Sequence, residues 1–384
     1  MKASAVFKKY TMLIALVIVI ILFSALTGGR LLLAQNVSNL LLQNAYVLIM
    51  ACGMLLCILT GGNVDLSVGS TLCFAAAVSA KIMSDGGSAG MAILASLIIA
   101  AVIGLCQGYL IGYVHIPPFI CTLAGMFLFR GAGRVVLNSQ TINISNQSFL
   151  NIFTSYIKFP GEQNRAVTSS LIICIIVAIC ITLMQLIQRK TRISRGYDVE
   201  SLPAQLIKLL IIDAVIIWYG SKLMQYKGIP VMIIWILAVV LIFAFLTSQT
   251  TFGRYFYAVG GNEKATKLSG IDPRRVYFWA YFLMSFLAGF AGLAHAARIG
   301  SVDGSMGNSF EMDAIASCFI GGASAYGGSG NVSGVVVGAI LLGVINQGMS
   351  IYGLADEWQY VVKGAVLLAA VIFDVVSNHK TGKS

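Results

Sequence analysis

The amino-acid sequence predicts an all-α, polytopic transmembrane helical bundle with about twelve spans. Three observations lead to this prediction. Of 384 residues, 58% are apolar and only 10% are charged, whereas about a quarter of the residues in an average soluble domain are charged. Apolar runs long enough to cross about 30 Å of hydrocarbon follow one another along the chain. The basic residues lie between these runs, as they do in the cytoplasmic loops of membrane proteins.

The net charge of +11 does not indicate a nucleic-acid-binding protein, because the positive charge forms no single patch. Of the 25 Lys and Arg residues, 15 fall in four groups between or beside apolar runs: Lys2, Lys8 and Lys9; Arg189, Lys190, Arg192, Arg195 and Lys208; Arg254, Lys264, Lys267, Arg274 and Arg275; Lys380 and Lys383. The eight cysteines lie inside apolar runs, with no pair at zinc-ligand spacing. We therefore expect neither a nucleic-acid partner nor a metal site.

The predicted spans are apolar runs of helical length separated by polar segments. They are 11–27, 38–59, 68–84, 90–114, 118–137, 168–188, 205–225, 229–248, 277–298, 333–351 and 358–376. A twelfth run, 311–325, is short and begins with two carboxylates. If this run crosses the bilayer, the basic loops and both termini are cytoplasmic; if it is re-entrant, the C-terminus lies outside. We expect it to cross.

Two glycine-rich breaks interrupt the apolar sequence at 60–70 and 324–334. Irregular backbone at membrane depth is tolerated only where protein or a water-filled cavity covers it. Paired breaks in the two halves of a chain indicate an inverted repeat around a transport path. Elsewhere, Gly104, Gly108 and Gly112 predict close helix packing, and Gly334 and Gly338 do the same. Such stripes can also allow helices to slide, and the sequence does not separate the two roles.

Six polar residues are candidates for the solute path or its gate: Asn63, Asp65, Ser67, Arg130, Asn346 and Gln347. Each type of residue also has a structural interpretation. An aspartate before a helix can cap it, an arginine near a span end can extend its charge to the outer interface, and amides within a span can join helices by hydrogen bonds. For Glu311 and Asp313 we favour a role as dipole partners at a helix N-terminus, and for Lys363 an extended conformation toward the interface.

The energy source is expected to lie outside this chain. Transporters driven by ion gradients usually carry ionisable residues in mid-span, and we expect the span centres here to lack them. The glycine-rich stretch 327–334 contains no lysine, so it is not a phosphate-binding loop. No nucleophile–base cluster indicates an enzyme. A partner that hydrolyses ATP is the remaining source.

The segment 251–273 carries the most specific pattern in the chain. Asn262 suits a helix N-cap, Glu263 the first turn, Gly270 the position after the helix end, and Pro273 a stop. The pattern predicts a helix of about two turns between two spans. So short a helix is marginal in water by itself, and a groove on a partner protein is a natural site for it.

Two motifs, GRYFYAVGGNEKATKLSGI at 253–271 and GGNVDLSVGS at 61–70, resemble the permease subunits of bacterial ATP-binding-cassette importers for monosaccharides such as ribose, galactose and xylose. The resemblance covers nearly the whole chain. It implies one transmembrane permease domain over 1–384, with an inverted-repeat core, and a coupling helix within 249–276 that sits in the ATPase subunit. The residues that match the family pattern there are Gly261, Asn262, Glu263, Ala265, Leu268 and Gly270.

The same resemblance implies the partners. They are an ATPase subunit that holds ATP and Mg, a periplasmic sugar-binding protein, a second permease (a second copy or a different chain) and the lipid of the bacterial inner membrane. No cofactor is expected in this chain. An additional hydrophobic pair at about 168–226 resembles the xylose or multiple-monosaccharide branch, because relatives of the ribose type usually have fewer spans. A permease for nucleosides or another small polar solute, and an ion-coupled secondary transporter, remain as alternatives.

Overall fold

The computed structural model describes residues 3–162, 167–197, 199 and 201–380. The helices, in chain order, are α1 Ala3–Leu26, α2 Ala34–Gln43, α3 Ala45–Leu59, α4 Val68–Ser84, α5 Ala89–Gly112, α6 Pro118–Val136, α7 Gln147–Thr154, α8 Thr168–Ser194, α9 Leu202–Met224, α10 Met232–Gln249, α11 Thr251–Gly261, α12 Glu263–Leu268, α13 Pro273–Ile299, α14 Phe310–Ile320, α15 Val332–Tyr352 and α16 Asp356–Lys380. The strands are β1 Ile142–Asn143, β2 Tyr156–Ile157, β3 Ile229–Pro230 and β4 Ser301–Val302. The extreme termini, to which the sequence analysis assigned a cytoplasmic location, lie outside the described residues.

Each of the twelve predicted runs coincides with a helix, which confirms the all-α polytopic class. Within the described residues, eight helical segments are long and apolar enough to cross a membrane, with α2 and α3 forming one of them. The apolar part of α1, Met12–Leu26, and helix α4 are shorter. The prediction of a full span at 311–325 is wrong. Helix α14 has 11 residues, and at 1.5 Å per residue it extends over about 16–17 Å, roughly half of the ~30 Å hydrocarbon core.

Helix α13 is at the centre of the bundle and packs against α3, α4 and α5. Its contact with α5 depends on the glycine stripe that the sequence contains. A Cβ added at Gly108 would lie 2.6 Å from the carbonyl oxygen of Phe278, and one at Gly104 would lie 2.8 Å from that of Phe282. Real Cβ atoms do not approach backbone so closely, so only glycine allows these two helices to touch. The predicted close packing is confirmed.

The two glycine-rich breaks meet each other at one end of the bundle. The Gly328 amide donates a hydrogen bond of 3.0 Å to the carbonyl oxygen of Leu59, the last residue of α3. Gly62 has a φ of +75°, and a Cβ there would overlap the carbonyl oxygen of Ala325. The irregular backbone is therefore covered by protein, as membrane depth requires. This end also carries α11 and α12, and we refer to it as the loop end.

Helices α8 and α9, the additional pair predicted at about 168–226, pack mainly against each other. Gly220 of α9 approaches the Cβ of Cys174, and the Thr182 hydroxyl donates a hydrogen bond of 2.7 Å to Asp213. Most of their apolar side chains face outward. The pair joins the remaining bundle through α2 and through the antiparallel contact of β2 with β3. It is a peripheral addition that leaves the central helices intact.

Candidate functional site

The loop between α10 and α13 contains the predicted short helix, α12, which has 6 residues. The Asn262 side chain accepts a hydrogen bond of 2.9 Å from the Ala265 amide, which confirms the predicted N-cap. After the helix, Gly270 has a φ of +86°, the left-handed conformation that favours glycine at this position. Pro273 does not simply stop a helix, because it is the first residue of α13.

Side-chain hydrogen bonds fasten α12 to the helices on either side. The Thr266 hydroxyl donates a bond of 2.8 Å to the carbonyl oxygen of Ala258 in α11. On the other side, the Tyr277 hydroxyl of α13 donates a bond of 3.0 Å to Glu263. So α12 is held by α11 and α13 at once. A displacement of α12 must therefore pull on both α11 and α13.

The start of α13 is capped next to this loop. The Asp272 carboxylate accepts hydrogen bonds of 3.1 Å from both the amide and the Nε of Arg274. The bond from the Arg274 side chain lowers the pKa of Asp272 below its usual value. The cap therefore remains ionised at neutral pH and complements the positive end of the helix dipole.

Helix α11 contacts the end of α3 and the second break through Gly260. A Cβ at Gly260 would overlap the carbonyl oxygen of Leu59 and would lie 2.6 Å from the amide nitrogen of Gly328. The neighbouring Gly261 has no atom within 4 Å of the same position. Thus α11 touches the end of α3 and the second break at one point. The loop helix and the two breaks form a single contact region.

All six residues that match the family pattern of the coupling loop are exposed. Leu268 is the extreme case, since 90% of its surface is accessible. Thr266, which points back to α11, is buried. An exposed leucine at the end of a polar, capped helix is typical of a surface that a partner covers.

Asp65 and Ser67 belong to a hydrogen-bonded chain that joins three helices inside the bundle. Asp65 accepts bonds of 2.8 and 2.6 Å from the amide and hydroxyl of Ser67. Gln107 of α5 donates to the Ser67 hydroxyl at 2.9 Å and accepts from Ser285 of α13 at 3.2 Å. All four residues are buried. Asp65 is not the N-cap of α4, because that position is Ser67 and Asp65 bonds to Ser67 itself.

Arg130 points inward from α6 rather than toward a lipid–water interface. Its Nε donates a hydrogen bond of 3.1 Å to the Ser70 hydroxyl of α4. Its Nη1 is buried and has no partner among the described residues, and the same holds for one carboxylate oxygen of Asp65 and one of Glu311. Glu311 is close to α4, because a Cβ at Gly69 would lie 2.6 Å from its Oε2. These groups make the interior of the bundle polar near the start of α4.

Asn63 is separate from this polar chain. Its amide nitrogen donates a hydrogen bond of 3.2 Å to the carbonyl oxygen of Thr60. With Glu263, Tyr277 and His115 it lines a hollow of about 210 Å³ at the loop end. Its position relates it to the coupling loop rather than to Asp65, two residues along the chain.

Asn346 and Gln347 lie in a third location. They line a cavity of about 220 Å³ between α2, α3, α13, α15 and α16. Gln347 donates a hydrogen bond of 2.8 Å to the carbonyl oxygen of Asn36 and so joins α15 to α2. Asn346 Oδ1 is buried without a partner among the described residues. The six pathway candidates are therefore divided among three places instead of forming one site.

Two carboxylates, the buried Asp313 and the half-buried Asp213, have partners that local sequence patterns do not reveal. Asp313 forms an ion pair of 3.1 Å with Lys363 and accepts a hydrogen bond of 2.7 Å from the Tyr46 hydroxyl. Lys363 is thus paired and does not extend to the interface. Asp213 lies in the middle of α9. The expectation that span centres lack ionisable residues is therefore wrong. Asp213 is visible in the sequence within the apolar run 205–225, and its position there could have indicated the exception.

The chain is similar to known transport permeases over most of its length. Residues 36–371 match the family described as "Branched-chain amino acid transport system / permease component". The chain belongs to this family. It is 33% identical to the xylose transport system permease protein XylH of Haemophilus influenzae, over 97% of both chains. It is 32% identical to XylH of Escherichia coli K12, over 97% of this chain and 93% of that protein.

A further relative in the family is the ribose import permease protein RbsC of Escherichia coli K12. It is 32% identical over 94% of this chain and 92% of its own length. No solved structure matches the chain significantly. The resemblance to sugar permeases is confirmed by these relatives, which are transport subunits rather than enzymes. The protein is a multi-pass membrane permease.

Proposed function

We propose that this chain forms the translocation pathway of a bacterial ATP-binding-cassette importer for a monosaccharide, xylose or a related sugar. The observation that carries the proposal is the similarity to two xylose permeases over nearly the full length of all three chains. The peripheral pair α8–α9 is included in that length, so the similarity is not limited to a shared core.

In this proposal two copies of the chain assemble in the bacterial inner membrane, with the N-terminus and the basic loops in the cytoplasm. An ATPase subunit, which holds ATP and Mg, receives the coupling helix α12. A periplasmic sugar-binding protein delivers the sugar at the end of the bundle opposite α12. The chain itself holds no cofactor.

The contacts at the loop end provide a mechanical route for this function. Movement of α12 loads α11 through Thr266 and α13 through Glu263 and Tyr277. Helix α11 touches the end of α3 and the second break at Gly260, and the irregular backbone of the break bends at low cost. Helix α13 contacts α3, α4 and α5. A small displacement of α12 therefore reaches the helices that enclose the polar interior.

Reconstitution tests the proposal directly. Proteoliposomes that contain this chain, the ATPase and the sugar-binding protein encoded beside it should take up radiolabelled xylose only when ATP is present. Competition with ribose, allose, galactose and arabinose ranks the sugars. Uptake of a nucleoside in place of every sugar would contradict the substrate class, and uptake by the chain alone under a proton or sodium gradient would contradict the energy source.

Leu268→Asp tests the docking of α12. Burial of a leucine side chain is worth about 1.5–3 kcal/mol, so the charged substitution should weaken ATPase binding about ten- to hundredfold. The matched control is Ser269→Asp, which adds the same charge at the adjacent exposed residue. Co-purification of the ATPase and ATP-dependent uptake are the measurements. Equal effects of both substitutions would show that charge alone, and not the leucine, determines docking.

A further inference from the structure

The cavity beside Asn346 lies at the end of the bundle opposite the coupling helix. Tyr46 is the second residue of α3, whose last residue, Leu59, touches the break at the loop end. Asn346 is likewise well along α15, which begins next to the other break. Each therefore lies about 20 Å from the loop end along its helix axis.

One wall of the cavity is aromatic. The rings of Tyr46 and Phe310 stack with centroids 3.8 Å apart. The His295 ring stands edge-on to both, at centroid distances of 5.2 and 5.0 Å. Hydrogen bonding of the Tyr46 hydroxyl to Asp313 fixes the orientation of this wall. The ring surfaces are rigid and apolar.

Other lining residues present fixed amides. Asn44 donates a hydrogen bond of 2.5 Å to the carbonyl oxygen of Ala339, and Gln347 donates one to Asn36. Because their nitrogens are engaged, both side chains are held in place with a carbonyl oxygen remaining as an acceptor. Asn346 adds a buried Oδ1 without a partner among the described residues.

The charged groups of the lining are all basic. Arg298 and Lys363 line the cavity, and the described lining residues include no carboxylate. Lys363 is neutralised by Asp313. The guanidinium of Arg298, which is partly buried, supplies up to five N–H donors in a planar arrangement. A cation would be repelled here, whereas a neutral ligand rich in hydroxyl groups could use both the donors and the amide acceptors.

We propose that this cavity is a monosaccharide-binding station within the permease, with the open side of the stacked Tyr46–Phe310 pair against the C–H face of the sugar and Asn346, Gln347 and Arg298 on its hydroxyls. The proposal rests on the proposed function. A volume of about 220 Å³ is more than ten times the ~10–15 Å³ that one water requires. A cavity of this size suits a ligand of the size of a single pentose or hexose ring.

Cysteine protection tests the station without any other subunit. Gln359→Cys places a thiol in the cavity lining, and Trp358→Cys places one at the adjacent exposed residue outside it. Both are made with Cys106 and Cys180, the exposed cysteines, changed to serine. The purified chain in nanodiscs is treated with a small thiol-specific reagent in the presence of xylose, ribose, allose, xylonate or, at matched osmolarity, sorbitol.

At a sugar concentration of three times the dissociation constant, modification of Gln359→Cys should slow about fourfold, because the free fraction falls by 1 + [L]/Kd. Trp358→Cys should be unaffected, and sorbitol should protect neither variant. Adding Asn346→Ala should abolish the protection. Protection only by a sugar acid such as xylonate would overturn the assignment to neutral sugars, and lack of protection by every sugar would overturn the station.

The reconstituted importer separates this proposal from the proposed function. Asn346→Ala should lower sugar uptake while the binding protein still stimulates ATP hydrolysis. If the importer transports sugar and the cysteines are never protected, the station is wrong and the importer function stands. If no sugar is transported by the unmodified assembly, the proposed function itself is wrong.

Discussion

The contact of Gly260 with the end of α3 and with the second glycine-rich break leads to a quantitative prediction. Gly260→Ala introduces a Cβ that overlaps the carbonyl oxygen of Leu59 and lies 2.6 Å from the amide nitrogen of Gly328. Ordinary contacts of a Cβ begin at 3.4 Å. Both neighbours are backbone atoms, so neither can rotate away, and α11 must move away from Leu59 by about 1.5 Å to reach ordinary van der Waals contact.

Overpacking of this kind costs about 1–3 kcal/mol, and immobile backbone on both sides favours the upper part of that range. Replacement of glycine by alanine within a helix returns about 0.5–1 kcal/mol. The net loss for Gly260→Ala is therefore about 2 kcal/mol. Gly261→Ala provides the control, because it lies at the end of the same helix with open space around its Cβ. It should be neutral or slightly stabilising.

Unfolding of both purified variants in mild detergent, titrated with a denaturing detergent and followed by circular dichroism, measures the difference. ATP-dependent uptake should also fall for Gly260→Ala, because α11 no longer transmits displacement to the breaks. Equal stability of the two variants would show that the contact at Gly260 is looser than the geometry indicates. Reduced stability with full uptake would separate the contact from coupling.

Three further predictions concern helix packing and the coupling contact. Gly108→Val should lower the free energy of unfolding by about 1–3 kcal/mol or more by forcing α5 off α13. Gly131→Val, which meets open space, should leave it unchanged. Thermal unfolding in detergent measures both, and equal effects would contradict the close contact at Gly108. Asp313→Ala leaves Lys363 without its partner and should lower the free energy of unfolding by about 2–3 kcal/mol. This is below the usual ~3–5 kcal/mol for a buried pair, because Lys363 is 23% exposed. A loss below about 0.5 kcal/mol would mean that water replaces the pair. Tyr277→Phe removes only the hydroxyl that bonds the coupling helix, and it should reduce uptake while ATPase co-purification persists; unchanged uptake would assign the coupling role to the partner interface alone.

Local sequence signals gave accurate expectations where one short segment determines its own structure. Asn262 caps the start of α12 and Gly270 follows its end, as the cap preferences of these residue types require. The spacing of the α5 glycines was sufficient to predict a close helix contact, although not that α13 is the partner. The apolar runs located the helices because hydrocarbon requires both length and apolar composition.

Features that depend on residues far apart in the chain were not predictable from local patterns. Tyr46 and Asp313 are 267 residues apart, and Asp313 and Lys363 are 50 residues apart with α15 between them, so only the fold brings the three together. The length of α14 was overestimated because the apolar run continues into the glycines at 321–322, where the helix ends. Asp213 could have been recognised, since its position in an apolar run is visible in the sequence.

Helix α12 is too short to persist alone, yet it is bonded to α11 by Thr266 and to α13 by the hydroxyl of Tyr277. Helices α11, α12 and α13 therefore form one rigid unit at the loop end. A partner that grips α12 does not have to fold it before pulling on it. A displacement that the partner imposes on α12 then passes directly to the bundle, because no flexible loop lies between them to take up the movement. Little of the work done by the partner is therefore lost between the two subunits.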